Sequence, residues 1–306
     1  VLVDVSNVDP STTFLGHSMR IPVMLAPIGS LQTFDPEGGA ASSKAAAQFG
    51  TMHVLSSVTD PTLEETAASA DNPKVFQLYV RGDMDWTKGI VGRVKNAGYD
   101  AFCITVDTAH YSRRERPLVH RWVPPARRGG VDRSFQAAVT WETMDRIKEL
   151  ADMPFMVKGI ATPEDAVIAV EHGVDVIWVS NHGGRQLDHG LGSLDVLPSI
   201  VEAVDGKADV IMDGGVQRGT DVMKAIALGA KAVAIGRLQG WGLAADGISG
   251  LVQVLEILEE EMLCGMGLLG VTSIDQITSD YICQAEAVTM PHEMSSWINM
   301  PEGRIL

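Results

Sequence analysis

At 306 residues, with 45% hydrophobic and 21% charged side chains, the chain has the composition of a soluble globular protein and room for one large barrel or two modest domains. Its 24 basic residues against 39 acidic ones leave a net charge of −15, which argues against general binding to nucleic acid or to anionic membranes. A small anionic ligand would therefore need a local basic pocket. Cys103, Cys264 and Cys283 are too few and too scattered for a disulfide framework or a metal site, so the expected compartment is reducing, the cytoplasm, with peripheral membrane association left open. No signal peptide or charge-free 18-residue span is visible, and the sequence opens directly in strand-like residues, as though a natural N-terminal segment preceded it.

In chain order, Val1–Val5 followed by Thr12–Gly16 reads as a short hairpin or paired extended segments. After it one unit recurs: a β-branched apolar run, a polar or glycine-bearing stop, then an alanine-rich helical pattern. The runs are Ile21–Pro27, Met52–Ser57, Val75–Val80, Phe102–Asp107, Phe155–Lys158, Val176–Ser180, Val210–Asp213 and Ala232–Gly236. Helical patterns follow at Glu37–Phe49, Leu63–Ala70, Trp86–Ala97, Trp141–Leu150, Glu164–Glu171, Leu194–Val204, Asp221–Leu228 and Ile248–Met262. Thr162-Pro163-Glu164-Asp165 is a strong helix start, and Gly50, Gly98, Gly173 and Gly229 sit where helix-ending glycines belong. Strands apolar on both faces that alternate with helices imply a parallel sheet, and eight such units favour an α/β fold of the (β/α)8 TIM-barrel type over an open doubly wound sheet. The expected architecture is a single barrel domain spanning 1–306, with a short N-terminal hairpin and a C-terminal helical tail.

One spacing is irregular. The interval from Asp107 to Gly159 is more than twice that from Gly159 to Asn181, and the extra residues carry Arg113, Arg114, Arg116, Arg121, Arg127, Arg128 and Arg133. Long loops inside compact domains are usually functional or disordered, so residues 108–140 read as a mobile basic lid over an active site, or as a solvated charged loop.

In a barrel, polar residues at the carboxyl ends of the strands converge on one mouth. Here they are Pro27 and Gly29, Ser56, Gln77 and Tyr79, Thr105 and Asp107, Lys158, His182 and Arg185, Asp213 to Gly215, and Gly236 with Arg237. Singly, Tyr79 serves as well as a rim aromatic, Thr105 as a strand former and Ser56 as a turn residue. The stretch Val179-Ser180-Asn181-His182-Gly183-Gly184-Arg185-Gln186-Leu187-Asp188 carries the most chemistry. Arg185 can grip a carboxylate in a fork of two hydrogen bonds, while the His182 imidazole removes a proton from the adjacent carbon or hydroxyl. The same residues also read as a polar turn with an exposed His and Arg. Asp213–Gly219, followed by Gly236-Arg237, lies on the last two strands, where barrels commonly hold phosphate on backbone N–H groups and a helix start. Lys158, ending the fifth strand, points a cation at the mouth, where it could stabilise a reduced flavin, or else reaches solvent.

Eight motifs in order, Ala26-Pro27-Ile28-Gly29, Leu55-Ser56-Ser57, Phe76–Val80, Ile104–Thr108, Val157-Lys158-Gly159, Ser180–Asp188, Asp213–Val216 and Ile235-Gly236-Arg237, resemble the FMN-dependent L-2-hydroxy-acid oxidase and dehydrogenase family. That family includes glycolate oxidase, lactate oxidase, mandelate dehydrogenase and the flavin domain of flavocytochrome b2. The resemblance covers the chain from Val1 to about Tyr281 and implies FMN as cofactor, oxidation of a 2-hydroxy acid to the 2-oxo acid, and O2, a quinone or a redox protein as electron acceptor. It implies His182 as base, Asp107 as the acid that supports it, Arg185 and Arg114 as the carboxylate clamp, and Tyr79 as the hydroxyl beside it. Flavin-ring contacts fall to Ser56, Gln77, Thr105, Lys158 and the backbone of Pro27, Ile28 and Gly29; ribityl and phosphate contacts fall to Asp213, Gly214, Gly215, Gly236 and Arg237. A homo-oligomer, often a tetramer, is the family's habit.

Departures from the family pattern carry their own expectations. Gln217 stands where a phosphate-contacting arginine is usual, leaving Arg218 and Arg237 to compensate. Gly29 replaces a common alanine, a lean toward dehydrogenase. Val58 in place of a bulky aromatic, with His110-Tyr111 before the arginine pair, suggests a substrate larger than glycolate. Two rivals remain: another FMN barrel acting on a phosphorylated ligand, as an isopentenyl-diphosphate isomerase does, or a non-catalytic flavin-binding barrel. Both leave the His182, Arg185 and Arg114 constellation unexplained.

Overall fold

The structure, a computed structural model, describes residues 2–125, 128, 132, 134–187 and 189–285, without the side chain of Arg116. Arg127, Arg133, Asp188 and the tail beyond residue 285 lie outside the described residues. A hairpin of β1 (Thr12–Phe14) and β2 (His17–Met19) precedes eight parallel strands: β3 (Val23–Leu25), β4 (His53–Ser56), β5 (Lys74–Leu78), β6 (Ala101–Thr105), β7 (Phe155–Ile160), β8 (Val176–Val179), β9 (Asp209–Asp213) and β10 (Ala232–Ile235). These close into a barrel in sequence order, with β10 pairing back on β3. Each of the eight expected barrel strands, and each expected helix but the last, is present within a few residues of its expected bounds; the last, expected over Ile248–Met262, is part of a longer helix, Arg237–Leu269.

The N-terminal expectation needs correcting. Residues 2–5 form no strand; the hairpin instead pairs Thr12 with Met19 and Phe14 with His17, turning through Leu15 and Gly16. Both turn residues have positive φ, as a two-residue turn matched to strand twist requires. That turn aims Phe14 and Met19 into the barrel interior, where they pack with Met24, Met52, Val54, Val75, Ala101 and Trp178 and plug its amino-terminal end.

The strands read as continuous apolar runs because both faces are buried. Inward residues such as Met156, Trp178, Ile211 and Ala234 fill the barrel, while Leu55, Phe76, Phe102, Phe155 and Ile177 face the helices. Phe102 and Phe155 stack with ring centroids 6.0 Å apart. Burying each such side chain contributes about 1.5–3 kcal/mol.

The surrounding helices are α1 (Gly39–Phe49), α2 (Leu63–Ala68), α3 (Met84–Asn96), α4 (Glu115–Val119), α5 (Ser134–Ala137), α6 (Trp141–Ala151), α7 (Pro163–Glu171), α8 (Ser193–Val204), α9 (Gly219–Ala227) and α10 (Arg237–Leu269). Thr162 caps α7 by accepting from the Asp165 N–H, with proline in the first turn. The four expected terminal glycines all have positive φ. α10 is long and apolar enough to cross a membrane by length and composition. It breaks at Asp246-Gly247, however, and lays Leu251, Leu255, Leu258 and Met262 on the barrel core. The segment expected as a lid follows β6 and contains the short helices α4 and α5 rather than unbroken loop.

Candidate active site

A cavity of ≈ 520 Å³ opens at the carboxyl ends of the strands. Pro27, Ile28, Gly29, Tyr79, Arg114, Lys158, His182, Arg185, Asp213, Gly214, Gly215, Gly236 and Arg237 all line it, so residues scattered over most of the chain meet in one hollow. Asp107 stands behind His182, its Oδ1 2.9 Å from Nδ1 of the imidazole. Ser56, Gln77 and Thr105 do not line the cavity. They are buried at the ends of β4, β5 and β6; Ser56 Oγ donates to Gln77 Oε1 at 2.9 Å, and Gln77 Nε2 and Thr105 Oγ1 have no hydrogen-bond partner among the described residues.

The His182 loop begins where β8 stops. Ser180 is almost fully buried and is a hub: its hydroxyl donates to Asp213 Oδ1 at 2.6 Å and accepts from Lys158 Nζ at 2.9 Å and from the His182 N–H at 3.0 Å. Asn181 then accepts from the Gly184 N–H and donates to the Leu191 carbonyl. These bonds hold His182 at φ 58, a left-handed conformation disfavoured for a residue with a Cβ.

Asp107 owes its place to Gly159. The strand bulges between Lys158 and Ile160, Gly159 takes φ +111, and a Cβ there would lie 2.7 Å from Asp107 Cβ. Burial pushes the Asp107 carboxyl up, but the Lys158 charge and the His182 hydrogen bond outweigh it and hold it below the ordinary carboxylate range. Asp107 is therefore a carboxylate at neutral pH. With Nδ1 tied to it as donor, Nε2 of His182 carries the free lone pair. Lys158 is buried, which opposes its charge, yet Asp213 and Asp107 raise its pKa and keep it an ammonium; Nζ lies 2.9 Å from Asp213 Oδ2. Burial pushes the Tyr79 phenol up, so it stays a neutral donor.

At the other end of the cavity, Gly214 and Gly215 have φ +96 and +79, which leaves bare peptide backbone facing the hollow, and Arg237 begins α10 beside them. Burial and the nearby Arg185 lower the pKa of Arg237. Arg218 is not available to assist: it turns away to Glu261 of α10 at 2.7 Å. Gln217 lines the cavity in its stead. Gly29 opens no empty space, because a Cβ there would meet Val58 Cγ2 at 2.6 Å. A donor-rich strand-end layer, a fixed cation, a glycine cradle and an arginine suit a planar heteroaromatic group with a phosphate tail.

From the 108–140 segment, Tyr111, Arg114, Trp122, Pro124, Asp132 and Gln136 reach the cavity, whereas Arg113, Arg121 and Arg128 are exposed. Sequence reasoning assigned no role to Ser180, Gly159, Gln136 or Gln186. Ser180, Gly159 and Gln186 lay within quoted motifs; nothing in the sequence marks Gln136.

A sequence model of a family described as FMN-dependent dehydrogenase matches residues 1–131 and 125–284. A peroxisomal (S)-2-hydroxyacid oxidase of Arabidopsis thaliana is 40% identical, the match covering 92% of this chain and 83% of that protein. An L-lactate oxidase of Nostoc sp. is 38% identical over 92% of this chain and 85% of its own length. Among solved structures, a mandelate oxidase superposes with a TM-score of 0.84 at 36% identity, covering 91% of this chain and 83% of the other.

Proposed function

Because this chain belongs to the FMN-dependent dehydrogenase family, we propose that His182 is the base, and Arg114 with Arg185 the carboxylate clamp, in its FMN-dependent oxidation of a 2-hydroxy acid. The observation that carries this reading is the Asp107–His182 pair at 2.9 Å opening on a cavity lined by both arginines. FMN, when bound, supplies the two-electron oxidant. Lys158 offers the positive charge that suits its ring, with the backbone of Pro27, Ile28 and Gly29 beside it, and the buried donors Gln77 Nε2 and Thr105 Oγ1, with Ser56, stand in the wall behind them. Asp213, Gly214, Gly215, Gly236 and Arg237 offer the cradle for ribityl and phosphate.

The chain's own residues then divide the work. Arg114 and Arg185 hold the substrate carboxylate, with the neutral Tyr79 hydroxyl donating beside them. His182 Nε2 takes a proton from the 2-hydroxy acid, and the Asp107 carboxylate stabilises the resulting imidazolium, as a buried anion tied to Nδ1 should. Lys158 stays charged and fixed, so its field costs no reorganisation as negative charge develops nearby.

We assign a substrate with a large apolar side chain, because Tyr111, Trp122, Pro124 and Val58 give the cavity an apolar wall. We assign O2 as acceptor, since the relatives are named oxidases. Anaerobic titration of the flavin-loaded protein with glycolate, L-lactate and (S)-mandelate tests the assignment. Loss of the flavin's visible absorbance is expected, fastest with (S)-mandelate, with colour returning on admission of air. A yellow protein that no 2-hydroxy acid bleaches would favour a barrel acting on a phosphorylated ligand or a non-catalytic one. Bleaching that air does not reverse would point to a quinone or a redox protein as acceptor.

A further inference from the structure

Arg114 and Arg185 reach the cavity from different loops, one after β6 and one after β8, and carboxylate recognition needs them in fixed mutual register. The stretch from Asp107 to Arg114 has no regular secondary structure to fix it. What joins it to the β8 loop is a small set of polar contacts. Gln186, partly buried, donates through Nε2 to the Asp107 carbonyl at 3.0 Å and to the His110 carbonyl at 2.9 Å. Its Oε1 accepts from Arg114 Nη2 at 3.2 Å. Ser112 Oγ donates to the carbonyl of Arg185. The Tyr111 ring lies against the Arg114 guanidinium, its centroid 4.2 Å from Cζ.

One amide therefore uses both of its N–H groups to hold the backbone that leads to Arg114, and its oxygen to hold the guanidinium itself. A glutamine can do this where no charged residue can: glutamate lacks the donors for two carbonyls, and lysine lacks the acceptor for a guanidinium. Gln186 also sits next to Arg185 in the chain, so the residue that fixes one arginine is attached by a peptide bond to the other.

We propose that Gln186 is a positioning residue that sets the guanidinium of Arg114 against that of Arg185, so that the protein meets the substrate carboxylate with a preformed clamp. The inference rests on the reading of Arg114 as a carboxylate ligand. Gln186 bonds the backbone carbonyl of Asp107, whereas the carboxylate of that residue is held by the His182 hydrogen bond, the Lys158 charge and the close approach at Gly159, so loss of Gln186 weakens binding and leaves the proton-transfer step in place. Net values of single hydrogen bonds, rising toward the charged-group range for the contact with Arg114, set the expected loss at about 10-fold in affinity.

The test is a double-mutant cycle on flavin-loaded protein with Gln186→Met, Arg114→Ala and the double variant, and Ser112→Ala as a control that cuts a neighbouring bond between the same two loops. Two quantities are read: the split between KM and kcat for whichever of L-lactate and (S)-mandelate reduces the flavin faster, and the Kd of pyruvate and benzoylformate from the shift of flavin absorbance. Gln186→Met should raise KM and Kd about 10-fold with kcat within about 3-fold of the parent, and should add little once Arg114 is alanine. The control should move either quantity by less than about 2-fold. Binding and KM unchanged in Gln186→Met, while Arg114→Ala weakens both, overturns the positioning role alone. An equal rise in the Ser112→Ala protein, or additive losses in the double variant, overturns it too, since loop attachment in general would then be responsible. If Arg114→Ala itself leaves Kd and KM unchanged, the reading of Arg114 as a carboxylate ligand fails, and this inference with it.

Discussion

The loops after β8 and β6 reach the same cavity by opposite means. The β8 loop is short and braced from below, with the Ser180 hydroxyl serving Lys158, Asp213 and the His182 backbone at once and Asn181 closing the turn behind it. The β6 segment is long, carries exposed apolar residues at Leu118, Val119, Trp122 and Val123, and is held near its two ends by glutamines. Gln186 fixes its start, and buried Gln136 fixes its end by accepting from the Val80 N–H and donating to the Thr105 carbonyl. Lys158, His182 and Arg185 are thus mounted on the braced backbone, while Arg114 and most of the apolar wall, Tyr111, Trp122 and Pro124, sit on the longer segment. Turnover and substrate choice should accordingly respond to different substitutions.

The largest break in that division should come from His182→Gln, which we expect to lower kcat by roughly 10²–10⁴-fold while flavin stays bound. Stopped-flow reduction and flavin content measure the two; turnover near the parent value would remove His182 from the mechanism. Next comes Gly159→Ala, which forces a side chain into a φ of +111 and against Asp107. The strain should cost about 1–3 kcal/mol of stability, read as a lower Tm, and kcat should fall because the Asp107–His182 pair is displaced. Unchanged kcat in a folded variant would show that the bulge does not set Asp107.

On the other loop, Trp122→Ala should raise KM for (S)-mandelate about 10-fold and leave kcat on L-lactate almost untouched. A parallel fall in both would merge the two loops into one functional unit. The smallest effect on turnover belongs to His53, far from the mouth on β4. Burial, then the nearby Lys74 charge, depress its pKa from 6.5 to about 3, and neither ring nitrogen has a hydrogen-bond partner among the described residues. Below pH 6.5 the unfolded chain binds a proton that the folded chain refuses, so stability falls as the pH drops from 6.5. His53→Leu should flatten that slope in denaturant titrations at pH 4 to 7, with activity at pH 7 unchanged.

Sequence by itself determined the barrel, since apolar runs buried on two faces and alternating with capped helices leave few other solutions, and it marked His182, Arg185, Lys158 and the Asp213–Gly215 cradle, because residue type and strand-end position identify such groups locally. It misjudged the hairpin, where Leu15 in a left-handed turn has no sequence signal as clear as glycine. It also left Arg218 as a candidate for the phosphate end, although Glu261, distant in sequence, draws it away. Only the tertiary structure decided that Ser180 joins base to cation, that Gly159 makes room for Asp107, and that Gln136 and Gln186 hold the two ends of the β6 segment. Each of these depends on a donor and an acceptor, or two atoms in contact, that lie tens of residues apart, and no local pattern records which of many possible partners the closed barrel brings within reach.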